Sequence, residues 1–255
     1  MPTIIACFKW VVDEAYIRRT ASGALDFSSV DYKIGEYDRN AIEEAVRVKE
    51  IMGGSTIGVT VGVPESTKGI KDALSRGCDQ AYFIADISFG NLEPSQTAAI
   101  LADVIHSRIK SFDLIICAEG SSDLYAQQVG PRMAEKLGIP CISFVQKLSI
   151  EGGQLVVERR VEEGIEVIAA PLPALVTVLP DINVPRIPGV KDTLTASKKP
   201  VVTIKKDELQ PLGEACLQTL SITASRIERT CERFGTDAAE ISRFVGALRK
   251  TGVIG

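Results

Sequence analysis

The sequence predicts an α/β protein: a mostly parallel sheet with helices on both faces, extended by antiparallel hairpin additions and an extended C-terminal arm. Three observations carry this. Apolar, β-branched runs alternate with helix-period segments in the order β-α-β-α-β-α-β-α as far as Pro140. The joining loops are short, and parallel strands joined this way need right-handed crossovers. A run of small and acidic residues at 118–123 separates a buried-strand pattern from a helix, the junction at which such sheets receive ligands.

Taken in order, Thr3–Val12 is apolar and β-branched, which predicts a first strand, and a polar, turn-rich connection follows through Asp26–Gly35. A helix is expected over Tyr37–Met52, with Asn40 and Glu43 as a capping box and Ile42, Ala45, Val46 and Ile51 as its apolar stripe; Gly53-Gly54 ends it. Next come a strand at Ser55–Val63, a helix at Glu65–Ser75 closed by Gly77, a strand at Ala81–Ile84, a helix at Glu93–Ile109 and the strand Leu114–Cys117. Beyond Pro140 four strand-like runs, Ser143–Leu148, Gln154–Glu162, Ile165–Ala169 and Ala174–Leu179, are separated by turns and read as antiparallel hairpins. A proline-rich loop, LPDINVPRIPG, follows, then weakly periodic sequence from Lys191 to about Arg233 and a short amphipathic helix at Ala238–Lys250. This divides the chain into an α/β domain, 1–190, and an arm, 191–255, that needs another surface, a partner subunit, to lie on.

Composition excludes several classes. A formal net charge of −4 with both signs interspersed offers no basic face for nucleic acid and no polybasic membrane patch. The six cysteines are scattered and His106 is the only histidine, so metal and disulfide readings fall together; each cysteine is expected to be a small buried hydrophobe in a reducing, cytoplasmic setting, and His106 a structural residue in an apolar helix. IIACFKWVV is broken by Lys9 and lacks a basic flank and cleavage site, which makes it a strand, not a signal peptide. No transmembrane segment or membrane insertion is expected, and no acid–base catalytic residue is nominated because no carboxylate pair is visible.

The segment AEGSSDLYAQQVGPRMAEKLGIP, Ala118–Pro140, reads as a nucleotide-phosphate loop. Gly120, Ser121 and Ser122 let the backbone approach a ligand, and the free N–H groups of the helix start behind them favour anions. Pro131 suits the first helical turn, where its missing N–H costs nothing.

With ACFKWVVD, YDRNAIEEAVRVKE, SDLYAQQVGPRMAEKLGIP and VERRVEEGIEVIAAPLPALVTVLPDINVPRIPG in this order, the chain resembles the beta subunit of electron transfer flavoprotein along nearly its whole length, and the SSDLYAQQVG wording is most similar to the FixA-type branch, associated with carnitine metabolism or flavin-based electron bifurcation. The resemblance implies an adenine nucleotide α-hydrolase-like fold and a heterodimer with an alpha subunit. It implies an adenine nucleotide in this chain, FAD in bifurcating members or AMP in ordinary ones. Adenine-side contacts are implied at Cys7, Gly35, Glu36, Tyr37, Asp38 and Val61; the bland readings are a core cysteine touching ligand only through its backbone and a simple helix start, with Tyr37 either stacking on a ring or packing. The phosphate side falls on Ala118–Val129, with Ala118, Gly120, Ser121, Ser122, Asp123, Ala126, Gln127, Gln128 and Val129 as the named contacts. Asp123, Gln128, Gly130 and Pro131 match the common wording D-G-D-T-A-Q-V-G-P, while Leu124–Gln127 depart from it. Ala126 in place of threonine removes one phosphate hydrogen bond, worth about 0.5–1.5 kcal/mol. Asp38, where many ordinary members carry a small or thiol residue, leans the reading toward FAD.

For partners, the resemblance implies docking on an acyl-CoA dehydrogenase-type or other redox protein through the proline-rich loop, with Ile182 as apolar anchor and Pro185 stiffening the backbone, and with NADH and ferredoxin or flavodoxin added if electrons bifurcate. Arg159 matches an arginine near the alpha-subunit flavin, while Arg160 replaces the acid of that pair. Lys198-Lys199 is a solvated pair or a steering charge for an acidic partner. Two other classes lack their motifs: an ATP-splitting enzyme would need S-G-G-x-D-S where this chain has KWVVDEAY, and a nucleotide-sensing module would need a G-x-x-G loop.

Overall fold

Alternation along Thr3–Cys7 (β1) sends Ile4 and Ala6 to one face of the central sheet and Ile5 and Cys7 to the other, as expected of a strand buried on both faces. The computed structural model describes residues 1–20, 24–217, 219–223 and 231–254. The expected first strand, Thr3–Val12, is broken at Phe8-Lys9: Trp10–Val12 (β2) leaves the sheet and pairs antiparallel with Tyr32–Ile34 (β5). Arg18–Arg19 (β3) and Leu25–Asp26 (β4) are two-residue strands in the intervening connection.

Helix α1 spans Glu36–Met52 and starts at Gly35 with no side-chain cap. The Asn40–Glu43 capping box therefore does not form; both residues lie inside the helix and are used elsewhere, as described below. Ile42, Ala45 and Val46 face the core, but Ile51 is 78% exposed, because the helix outruns the sheet before Gly53 and Gly54, both at positive φ, end it. Ser55–Gly62 (β6), Thr67–Ser75 (α2), Gln80–Ala85 (β7) and Pro94–Val104 (α3) follow. Glu93 and Gln96 form the capping box of α3. The helix runs into a π-helical turn, Ile105–Ile109, in which His106 is exposed and not part of the apolar stripe. Leu114–Ala118 (β8), Val129–Leu137 (α4), Cys141–Glu151 (β9), Gln154–Val161 (β10), Gly164–Pro171 (β11) and Ala174–Val178 (β12) complete the region up to the proline-rich loop.

Nine strands join in the order β11-β10-β9-β12-β8-β1-β6-β7, with Val201–Lys205 (β13) at the far edge. Among the described residues of this sheet β10 alone runs antiparallel to its neighbours, β9 and β11; β12 departs from the hairpin reading and inserts between β9 and β8, parallel to both. Apolar side chains of α1 and α2 cover one face, those of α3 and α4 the other, so the predicted α/β class holds. The segment after Lys191, expected as an arm with little core of its own, carries a short helix and an edge strand. Val190–Ala196 (α5) buries Ala196, β13 pairs in parallel with β7, and Leu209 and Leu212 pack against the α3 face, where Gln210 N–H donates to Asp103 and Cys216 N–H to Glu93. Part of the expected arm, residue 218 and residues 224–230, lies outside the described residues.

The chain divides into two compact units, Met1–Arg18 with Asp26–Leu220, and Arg19–Leu25 with Ser221–Gly255. The second contains Ala238–Lys250 (α6), started by the Asp237 carboxylate, which accepts from Glu240 N–H, and a tilted pair of Phe234 and Phe244 under the Arg243 guanidinium. Cys7, Cys78 and Cys117 are buried as expected; Cys141, Cys216 and Cys231 are exposed, and all six are free. Among the described residues no helix is long and apolar enough to cross a membrane.

Gly130 fixes how closely α4 approaches β12: a Cβ there would come within 2.6 Å of Thr177 Cγ2 and 3.4 Å of Leu175 Cδ2. Overpacking of this kind costs about 1–3 kcal/mol, more than the roughly 1 kcal/mol that alanine gains over glycine in a helix. Gly130→Ala should therefore lower the urea midpoint of unfolding, and an unchanged or raised midpoint would show that the helix shifts freely.

Candidate functional site

The chain leaves β1 toward β6 on one side of the sheet and returns through β8 on the other. The loops beyond β1 and β8 therefore part, and the crevice at their carboxyl ends is the switch point at which open α/β sheets take ligands. Three segments meet there: Phe8-Lys9 after β1, the start of α1 after β5, and residues 119–128 after β8.

The first two are clasped reciprocally. Gly35 N–H donates to the Lys9 carbonyl at 3.1 Å, and Lys9 N–H donates to Asp38 Oδ2 at 3.2 Å. Gly35 is required by this closeness, since a Cβ would lie 2.4 Å from Asp38 Oδ2 and 3.6 Å from Ser122 Oγ. Asp38 is only 6% exposed, and burial pushes its carboxyl up to about 7 against the pull of the Lys9 N–H and ammonium. The third segment is held by Lys9, whose Nζ lies 2.6 Å from Asp123 Oδ2. Burial pushes the Asp123 carboxyl upward, but Lys9 and the hydrogen bonds around it win and hold it below the usual range. Ser122 Oγ, facing this junction, is buried with no hydrogen-bond partner, and the first turn of α1 has no side-chain cap. An anion entering here would meet free helix N–H groups and one unsatisfied hydroxyl.

Above them the loop folds back on itself. Tyr125 N–H donates to Ser121 O at 2.9 Å, the Tyr125 hydroxyl donates to the buried Glu119 carboxylate, and the ring meets Tyr37 with centroids 5.6 Å apart and planes at 57°. The Glu119 bond, with burial, pushes the phenol up to about 12. Helix α4 then starts with Gln128 at its cap position and Pro131 in its first turn; Gln128 Oε1 accepts from Arg132 Nε.

The structure thus brings Gly35, Tyr37, Asp38, Ser122 and Asp123 together. Cys7, Val61 and Val129 point their side chains into the apolar cluster beneath α3 and α4, which leaves only their backbone to face the crevice. Glu36 turns outward to Lys33 at 3.0 Å. Lys9, Glu119 and Tyr125 join the constellation: Glu119 and Tyr125 lie within the span Ala118–Val129 implied by the resemblance but were not named there one by one, and the one signal for Lys9 was its place just after the end of β1.

The expected partner-binding residues lie elsewhere. Arg159 is paired with Glu166 across the β10–β11 hairpin at 2.7 Å, and Arg160 with Asp181 at 2.9 Å. The proline-rich loop is laced to α1: Asn40 Nδ2 donates to the carbonyls of Pro180 and Asn183, Asn183 Nδ2 donates to Glu44, and the Arg186 guanidinium spans Glu43 and Glu50 at 2.8 Å each. Ile182 packs against the core. The apolar side chains that this region presents outward are Val184, Ile187, Val190 and Leu194, 67–92% exposed. Lys199 Nζ is committed to the carbonyls of Leu74 and Cys78 and so is not a solvated charge.

A parallel sheet whose switch-point crevice is framed by an uncapped helix start and a small-residue loop defines an α/β ligand-binding domain. The chain matches the family model of the electron transfer flavoprotein domain over residues 23–209, well over half its length, and the protein belongs to the electron transfer flavoprotein family. That family carries electrons with flavin, and the matched span includes Gly35–Asp38, the loop after β8 and the proline-rich loop.

The raised Asp38 pKa has a consequence for stability. The folded state holds its proton from the ordinary carboxyl value of 3.8 up to about 7, whereas the unfolded state releases it near the lower figure, so stability falls as pH rises across that window and stays lowered above it. Asp38→Asn keeps an oxygen for Lys9 N–H and removes the titration. Between pH 5 and pH 8 the wild-type protein should lose stability relative to Asp38→Asn in denaturant unfolding, on the order of 1–3 kcal/mol; parallel pH profiles would rule out the buried ionisation.

Proposed function

We propose that this chain is the beta-type subunit of a heterodimeric electron transfer flavoprotein, of the FixA-type branch, with an adenine nucleotide in the crevice between β1, the start of α1 and the loop after β8. The observation that carries the nucleotide reading is Ser122 Oγ, buried without a partner beside the uncapped N-terminus of α1. Free backbone donors of α1, Ser122 and the backbone at Gly120–Ser122 would hold phosphate, and Gly35–Tyr37 would face the adenosine. FAD and AMP share this half, so the same residues fit either. Asp38 does not separate them, since its carboxylate is engaged by Lys9 N–H within the chain.

As FAD, the group supplies two-electron acceptance and one-electron release, which is what bifurcation from NADH to ferredoxin or flavodoxin requires; as AMP, it is structural, and the redox work belongs to a flavin of the alpha subunit. In both readings this chain holds the nucleotide, shields it from water, and presents the proline-rich loop to an acyl-CoA dehydrogenase-type or other redox partner. Ile187 and Val190 are better placed as anchors than Ile182, being exposed where Ile182 is packed against the core. The clasp of Arg186 on Glu43 and Glu50 holds the loop's shape before docking, which lessens the entropy lost on binding. Residues of the tail after Ser221 are proposed to lie on the alpha subunit.

The test is co-expression with the alpha subunit, release of cofactors by denaturation, and quantification of FAD and AMP per heterodimer. Two FAD would support the bifurcating reading, and one FAD with one AMP the ordinary carrier. A stable nucleotide-free monomer indifferent to the alpha subunit would contradict the subunit assignment.

A further inference from the structure

The loop after β8 holds two non-glycine residues in the left-handed region, Tyr125 at φ 46° and Gln127 at φ 57°. Each such residue is strained and persists only where its surroundings over-determine it. At Tyr125 the surroundings do so three times. Its hydroxyl is bonded to Glu119, a carboxylate only 7% exposed. Its ring edge lies over Gly120, where a Cβ would come within 2.9 Å of Tyr125 Cδ2. Its other contact is the ring of Tyr37, on the first turn of α1 across the crevice. The residue nevertheless stays 44% exposed, so a part-buried hydrogen bond, a ring contact and a side-chain-free neighbour hold an aromatic ring at the mouth of the crevice without burying it.

We propose that Tyr125, paired with Tyr37, is the ring-recognition element of this site, stacking on the planar base of the bound nucleotide while Ser122 and the start of α1 take its phosphate. The inference rests on the nucleotide reading above and goes beyond it, because Tyr125 stands among the four loop positions, Leu124–Gln127, that depart from the common wording. Glu119 acts as a positioning residue: it fixes the phenol through the hydroxyl and leaves the ring surface for the ligand. The Tyr37–Tyr125 contact joins the two walls of the crevice, and a base inserted against it would gain stacking from an element already held in place.

The test is calorimetric titration of the full-length protein, freed of bound nucleotide, with AMP and with ribose 5-phosphate, which keeps the sugar and phosphate but has no base. Stacking of one base on an aromatic side chain is worth about 1–3 kcal/mol by alanine substitution, so Tyr125→Ala should weaken AMP about tenfold or more and leave ribose 5-phosphate within about twofold. Tyr125→Phe, which keeps the ring and loses the Glu119 bond, should retain AMP within about threefold. Tyr125→Leu keeps the bulk without the π surface; should the alanine variant fail to fold, it must show the same selective loss of AMP. Equal weakening of both ligands, or AMP affinity unchanged in Tyr125→Ala, would overturn the proposal. Wild-type protein that binds neither AMP nor FAD would instead overturn the nucleotide reading beneath it.

Discussion

Parallel pairing of β1 with β8 and with β6 is the constraint on which the rest of this fold depends. Ile4, Ile5 and Ala6 sit opposite Leu114, Ile115 and Ile116 on one side and opposite Thr56, Ile57 and Gly58 on the other. With both hydrogen-bonding edges of β1 used, the chain beyond Cys7 can continue only outward, past the carboxyl end of the sheet. The loop after β8 emerges beside it, and the start of α1 is drawn in by the reciprocal bonds between Lys9, Gly35 and Asp38. Burial of Ile4, Ile5 and Ala6 on both faces thus supplies the rigidity, and the exposed ends of the strands supply the polar groups.

Helix α1 extends that constraint toward a second surface. Its first turn borders the crevice, and from Asn40 to Glu50 its polar face carries the proline-rich loop. Glu43 is buried and paired with an arginine, an arrangement that is destabilising when only one partner is removed. Burial pushes the Glu43 carboxyl up, but the Arg186 bonds outweigh it and hold the group below its ordinary value. The two regions that the sequence marks as functional are therefore both held by one helix, and their relative placement is set by helical rise and not by loop flexibility.

Much of the architecture was legible because it is local. Periodicity marks β1, β6, β7, β8 and the helices that cover them, α3 among them from its start at Glu93. What the pattern could not carry is tertiary. Apolar sequence resumes at Trp10 directly after Lys9, so one interrupting lysine is the whole of the local sign that Trp10–Val12 departs to pair with β5. An apolar run such as Ala174–Val178 has the same composition whether it forms a hairpin or, as here, inserts in parallel between two strands. Strand β13 exposes four of its five residues and so lacks a buried-strand signature. Asn40 and Glu43 mimic a capping box because the residue types that cap a helix also bind a loop laid across it. In the crevice, small residues and a helix start pointed to Gly120–Ser122, and the resemblance to Gly35–Asp38 and the span Ala118–Val129, whereas the parts played by Lys9, Glu119 and Tyr125 could be placed only once β1 and β8 were neighbours.

The central claim, that the crevice between β1, α1 and the loop after β8 is the nucleotide site, is tested most directly by hydrogen exchange of the nucleotide-depleted protein with and without AMP. The account predicts slowed exchange confined to residues 8–9, 35–39 and 119–128, with the β10–β11 hairpin unchanged. Protection that spares these three segments and appears instead at the carboxyl ends of β6, β7 and β13 would contradict it.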